Sequence, residues 1–328
     1  MRYFVTGGAG FIGSNIVDRL LALSDQHEVT CYDNFSTGLK AYLQPALKNS
    51  RFKLIEGDLL DEMKLVRSME RHDFVFHMAA NADVRFGLQH TRRDLEQNTI
   101  ATYNVLEAMR HCGVKGIAFS STGSVYGEHP QIPTAENAAF PTQTSLYGAS
   151  KLAAEGMIAA YAEGFGINGF IFRFVSVLGE RYGHGHVLDF FFKLKKSPQE
   201  LHILGDGHQK KSYMYIHDCI DGMFLAIDQL HTNSKGKTHI FNLGTDEYCE
   251  VNDSARTICR SLGVNPKFTY SGGDRGWVGD NPFIYLDTKK IRELGWRPKY
   301  KILEAVEKTV DFLKENHHLF ASAFNKEL

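Results

Sequence analysis

"TGGAGFIG", residues Thr6 to Gly13, decides how the rest of this chain is read. A short run of β-branched and aromatic residues, "RYFVT", leads into it, and the amphipathic stretch from Phe11 to Leu23 leaves it. Gly8, Gly10 and Gly13 satisfy G-x-G-x-x-G, while Gly7, Gly10 and Gly13 keep a three-residue spacing. In a strand–turn–helix setting such glycines let the backbone approach a pyrophosphate, and the free N–H groups at the helix start favour its charge. Phe11 and Ile12 open that helix, so the whole turn is expected to cradle a dinucleotide. Asp33 stands 20 residues after Gly13, at the end of the next apolar run, "EVTCY". A carboxylate there accepts from both ribose hydroxyls of adenosine and repels a 2′-phosphate. The expected cofactor is therefore NAD rather than NADP.

The pattern repeats outward. "FKLIEG", "DFVFHMA", "VKGIAFS" and "INGFIFRF" read as strands, and Asp61–Glu70, Asp94–Cys112 and Ser145–Gly164 as helices between them. Strands joined by helices of this length pair in parallel through crossovers, which predicts an α/β fold with a doubly wound parallel sheet. Near Phe174 the rhythm breaks into a Gly- and His-rich stretch, "GERYGHGHV". The expected division is a dinucleotide-binding domain over 1–174, to which 208–246 returns, and a smaller irregular domain from 175–207 and 247–328.

Bulk properties narrow the function classes. The net charge is −1 with 23% charged residues, so no nucleic-acid footprint is expected. No apolar run approaches the roughly 18 residues of a membrane span, and no signal-like segment leads the chain. Five cysteines lie scattered without C-x-x-C spacing, as in a reduced cytoplasmic protein. His184 and His186 form H-x-H but lack further ligands; a loop that covers substrate is expected there, and no metal.

Chemistry concentrates in "FSSTGSVYG", Phe119 to Gly127, where Ser120, Ser121, Thr122 and Ser124 crowd the end of a strand. Further on, "YGASK" sets Tyr147 and Lys151 at i and i+4, on one helix face. A lysine ammonium near a phenol lowers the phenol's pKa from about 10 and makes it a general base. Thr122 or Ser121 is then expected to hydrogen-bond the same substrate oxygen. Two further features leave alternatives open. Asp58, in "EGDLLD", either accepts from an adenine amino group or caps the next helix. Ala79 and Ala80, in "HMAANADV", either admit a flat cofactor or simply pack.

On these motifs, with "YDNFSTG", "QNTIATYNVLEAM", "LGDGHQKKSYMYIHD" and "GDNPFIYLDTKKIRELGW", the chain resembles the extended short-chain dehydrogenase/reductases of the NAD-dependent epimerase/dehydratase group. The resemblance implies a Rossmann-like sheet and a homodimer acting on a nucleotide-diphosphate sugar. It makes Thr122, Tyr147 and Lys151 the catalytic set, with Asn98 supporting them. It implies cofactor contacts along the motifs: Asn34, Ser36, Thr37 and Gly38 beside Asp33; Leu59 beside Asp58; and Asn81, Ser120 and Tyr147 near the nicotinamide. Substrate contacts would come from Ser121, Thr122 and Ser124, and from Arg85, Ser176, Val187, Lys211 and Arg275.

Departures from the pattern bear on the reaction. The group's 4,6-dehydratases carry an Asp-Glu pair directly after the Thr; here Gly123 and Ser124 stand there. Neither supplies the proton transfers that elimination of water requires. Ser176 replaces a frequent Asn, Lys211 a frequent Arg, and Trp277 an expected Arg, with Arg275 two residues before it. The expected activity is 4-epimerisation through a 4-keto sugar. The alternatives are a dehydrogenase that releases the ketone and, from another class, a non-catalytic dinucleotide-binding regulator.

Overall fold

The computed structural model describes residues 1–82, 89–140, 142–232, 234–276 and 283–320. Its first part alternates strand and helix. The elements are β1 (Arg2–Thr6), α1 (Phe11–Leu23), β2 (Glu28–Asp33), a short α2 (Gln44–Leu47), β3 (Phe52–Glu56), α3 (Glu62–Met69) and β4 (Phe74–His77). Next come α4 (Thr91–Asp94), a π-helical segment (Leu95–Ile100), α5 (Ala101–Cys112), β5 (Gly116–Thr122), α6 (Leu146–Phe165) and β6 (Asn168–Phe174). The later part holds β7 (Ser176–Leu178), α7 (His186–Lys196), β8 (Glu200–Ile203), β9 (Lys210–Lys211), β10 (Tyr213–Tyr215), α8 (Ile216–Leu230) and β11 (Thr238–Leu243). It ends with β12 (Cys249–Glu250), α9 (Val251–Leu262), β13 (Lys267–Tyr270), α10 (Lys289–Glu293) and α11 (Ile302–Asn316).

Seven strands form one sheet in the order β11-β6-β5-β4-β1-β2-β3, every pair parallel. This is the doubly wound sheet the sequence predicts. β4 and β6 are buried at every residue, and β5 at all but its last. Continuous apolar runs of this kind arise because helices cover both faces of a parallel sheet. One core lies under α3, α5 and α6; the other runs from α1 and α8 into α7, α9 and α11. The late strands also form three small two-stranded sheets, β10–β7, β12–β9 and β13–β8. Among the described residues no helix is long and apolar enough to cross a membrane.

The strand order reverses between β1 and β4, which opens a crevice at their carboxyl ends. Two local rules place the helices that face it. Ser145 caps α6, its hydroxyl accepting from Gly148 N at 3.0 Å, and Gly166 ends the helix at φ +67°. The helix expected over Asp94–Cys112 starts earlier, at Thr91, and widens to a π turn over Leu95–Ile100. Side-chain anchoring accompanies that widening. Asn98 Nδ2 donates to Ser150 Oγ of α6 at 2.9 Å, and Asn98 Oδ1 accepts from Asn81 N at 2.8 Å. π turns of this kind recur at functional sites.

Candidate active site

The glycine turn fills the crevice from one side. Gly7 sits at φ +65°, and a Cβ on it would lie 2.6 Å from the Ala79 backbone at the end of β4. A Cβ on Gly13 would lie 2.1 Å from Gly7 O. Both glycines therefore serve close backbone packing around the crevice. Gly10 caps α1 with no side-chain oxygen, so the helix start beside Phe11 and Ile12 presents backbone alone. Such an end suits a phosphate.

Asp33 is 7% exposed at the end of β2. Its carboxylate accepts from Ala9 N at 2.9 Å and from Phe35 N at 2.8 Å. Burial pushes its pKa above the ordinary value, and these two backbone bonds oppose the rise. Asn34 and Gly38 close over it: a Gly38 Cβ would come 3.0 Å from Asp33 Oδ1, while Ser36 and Thr37 form an exposed rim. Asn34 Nδ2 donates to Asp58 Oδ2 at 3.0 Å. Asp58 does not cap α3; Asp61 does, accepting from Lys64 N. Leu59 is buried in the core, and its carbonyl accepts from Asn104 Nδ2. Ala79, Ala80 and Asn81 line the far side, partly exposed. An uncapped helix end, a tight glycine turn and a buried carboxylate at the second strand's end fit a dinucleotide without a 2′-phosphate.

Tyr147, Lys151 and Thr122 meet beside this cradle. Lys151 is 1% exposed; its ammonium donates to Ser120 O at 2.7 Å and lies 4.4 Å from the Phe119 ring centre. Burial pulls its pKa down to about 7, and Glu155 acts in the opposite direction. Tyr147 departs from expectation. Burial pushes its phenol up to about 12, the Thr122 side chain lowers it, and Asp94 raises it. The Lys151 ammonium is turned into the strand and held by the Ser120 carbonyl. Thr122 caps the 3-10 turn Gly123–Tyr126, accepting from Ser124 N at 3.1 Å and donating to Ser124 Oγ at 3.2 Å.

Ser121 is a correction. Its hydroxyl donates to the buried Glu155 carboxylate, about two turns along α6 from Tyr147. Side chains alternate along β5, so Ser121 cannot share a substrate oxygen with Thr122. Ser120 points the other way, its hydroxyl 3.4 Å from His77 O.

Several buried polar groups at this site were not among the sequence candidates. Arg173, 2% exposed, donates to both oxygens of Glu155, with Nη2 2.6 Å from Oε2. Its other amino group donates to Tyr126 Oη at 2.7 Å, and Tyr126 donates to Asn242 Oδ1 at 2.9 Å. The signal was present in the sequence: an arginine inside the apolar run "FIFRF" needs a buried partner. His77, fully buried, bridges Thr6 Oγ1 at 2.7 Å and Thr102 Oγ1 at 3.0 Å. Thr102 donates in turn to Asn98 O at 2.6 Å, which ties the glycine turn to the π segment.

Burial, with Lys151 nearby, pulls His77 down to about 3. The unfolded chain then binds more protons below pH 6.5, so this residue costs stability as pH falls through 6.5 toward 3. His77→Gln is expected to be less stable than the parent at pH 7. The gap should narrow by about 2 kcal/mol at pH 5. Urea unfolding at both pH values measures this; an unchanged gap would show that His77 titrates normally.

The remaining candidates lie in the later part. Ser176 is exposed on β7. Val187 is wholly buried in α7, so only its backbone can meet a ligand. His186 starts α7 and bridges Ser254 Oγ at 2.7 Å and Tyr213 Oη at 3.1 Å, so it anchors the fold instead of lying in an open loop. Lys211 lies on β9 near His186, and Arg275 pairs with Glu128 at 3.0 Å. Arg85 and Trp277 lie outside the described residues.

Known proteins are similar to this chain in sequence and backbone. UDP-glucose 4-epimerase of Mycolicibacterium smegmatis is 30% identical over 323 residues, which cover 96% of this chain and 99% of that protein. The crystal structure of a UDP-galactose 4-epimerase superposes with a TM-score of 0.86 at 35% identity, covering 96% of this chain and 99% of that one. The dTDP-glucose 4,6-dehydratase of Streptomyces venezuelae, solved with NAD bound, also superposes at 0.86, with 26% identity and coverage of 97% and 98%. The backbone thus matches an epimerase and a dehydratase equally well. Residues 3–244 match the family described as NAD dependent epimerase/dehydratase. With the glycine turn, the Asp33 carboxylate and this match in agreement, the chain belongs to the NAD-dependent epimerase/dehydratase family, and its cofactor is NAD.

Proposed function

We propose that the protein is a nucleotide-sugar 4-epimerase. The observation that carries this reading is a Thr122–Tyr147–Lys151 cluster followed by Gly123 and Ser124, so no carboxylate stands directly after Thr122. Gly7, Gly10, Gly13 and Asp33 hold the cofactor in this reading. When bound, NAD would supply a hydride acceptor, and its oxidised ring would add positive charge to the site.

The chain's own groups then have distinct tasks. Tyr147 Oη takes the proton of the sugar C4 hydroxyl and holds it while that carbon is a ketone. It returns the proton after the sugar has turned its other face. The high pKa of the phenol in the protein alone keeps it protonated until positive charge is brought to it. Thr122 Oγ1 hydrogen-bonds the C4 oxygen and fixes its distance from Tyr147. Lys151 holds the end of β5 through the Ser120 carbonyl.

The segments 175–207 and 247–328 take the nucleotide sugar in this reading, with 208–246 belonging to the cofactor domain. Lys211 and Arg275 neutralise its diphosphate, Lys211 as a point charge rather than a fork. Ser176 leaves room for a ketosugar to rotate. A homodimer through α5 and α6 completes the proposal.

The deciding experiment incubates purified protein with UDP-glucose, then with a panel of nucleotide sugars, with no added cofactor. Redox-neutral conversion to the C4 epimer is expected. Build-up of a 4-keto product matched by reduced nicotinamide, continuing only when NAD is supplied, would replace this reading with a dehydrogenase.

A further inference from the structure

Gly123 is buried directly after Thr122 and does not use the left-handed backbone that favours glycine. Space is what demands it. A Cβ there would lie 2.5 Å from Ile284 Cγ2, 3.2 Å from Phe174 O and 3.5 Å from Leu286 Cδ2. Ile284 Cγ2 sits on a branched carbon with restricted rotamers, so it does not swing away as the tip of a long side chain would.

The backbone that carries Ile284 is pinned as well. Thr134 N donates to Tyr285 O at 2.9 Å, and Asp287 N donates to Thr134 O at 2.9 Å. Asn242 Nδ2 donates to Asp287 O at 3.0 Å, and Tyr285 Oη to Asp246 O at 2.8 Å. Asn242 also accepts from Tyr126, the partner of buried Arg173. Retreat of residues 283–288 would break this set together.

We propose that Ile284 is a specificity-determining residue that closes the space beside Thr122 to any side chain at position 123. This deepens the reading of the protein as an epimerase. Eliminating water from a 4-keto sugar breaks the C5–H bond, whose proton passes to a base. It also breaks the C6–O bond, whose oxygen leaves as water only when an acid protonates it. Packing by Ile284 excludes such an acid at position 123 even if the codon changes. A single substitution therefore does not convert the site.

The test uses Gly123→Asp, Ile284→Ala and the double variant, each loaded with NAD and given UDP-glucose. Gly123→Asp alone is expected to lower the thermal midpoint by at least about 3 °C and to yield no product lighter by one water. In the Ile284→Ala background the same Asp should cost no more than about 1 °C. Equal thermal cost in both backgrounds would overturn the proposal. So would water loss from Gly123→Asp with Ile284 intact. The thermal coupling does not depend on turnover, so a parent protein that fails to epimerise would count against the epimerase reading alone.

Discussion

Replacing Tyr147 with Phe is expected to cut turnover of the nucleotide sugar by at least about a hundredfold, the usual contribution of a positioned general base. The substitution keeps the ring and removes only the hydroxyl, so the fold should survive. Cofactor retention should be unchanged, because the cradle of Gly7, Gly10, Gly13 and Asp33 stands apart from the phenol. The phenol's pKa, raised to about 12 by burial, sharpens the expectation. Single-turnover assays on protein of measured NAD content check this. More than about a tenth of the parent activity would remove Tyr147 from the proton-transfer role.

Gly13→Ala should act on the cofactor rather than on the chemistry. Its Cβ would stand 2.1 Å from a backbone oxygen, that of Gly7, which cannot rotate aside. Gly7 is itself packed against the Ala79 backbone, so the whole turn must shift. Overpacking of this kind costs about 1–3 kcal/mol, and here it falls on the backbone expected to face the pyrophosphate. NAD affinity is expected to drop by roughly a hundredfold, equivalent to about 2.7 kcal/mol. Calorimetric titration of protein stripped of cofactor measures it. Unaltered affinity would mean that the turn does not approach the phosphates.

The sheet was legible because each central strand carries a short, mostly apolar run, and such runs separated by helices admit few topologies. Tyr147 and Lys151 were legible because both lie on one helix, where spacing determines proximity. The pair's electrostatics were not. They depend on where the ammonium points, and it points to the Ser120 carbonyl. The misplacement of Ser121 was avoidable, since alternation along a strand puts it opposite Thr122. Glu155 with Arg173, and Gly123 with Ile284, join residues far apart in the chain. Only the assembled fold shows those distances.

The buried Arg173–Glu155 pair also constrains how this chain can diverge. Removing one partner leaves a charge in the interior with no counterpart, at a cost of about 3–5 kcal/mol, whereas an apolar pair of similar volume can be neutral or better. A lineage would have to cross that deficit to reach the apolar alternative, or change both positions at once. The deficit is comparable to much of the stability of an ordinary domain. Glu155 also receives the Ser121 hydroxyl, so a third residue is caught in the same knot. The polar centre behind β5 therefore behaves as a ratchet: easily kept once assembled, and hard to dismantle by single steps even where something simpler would fold as well.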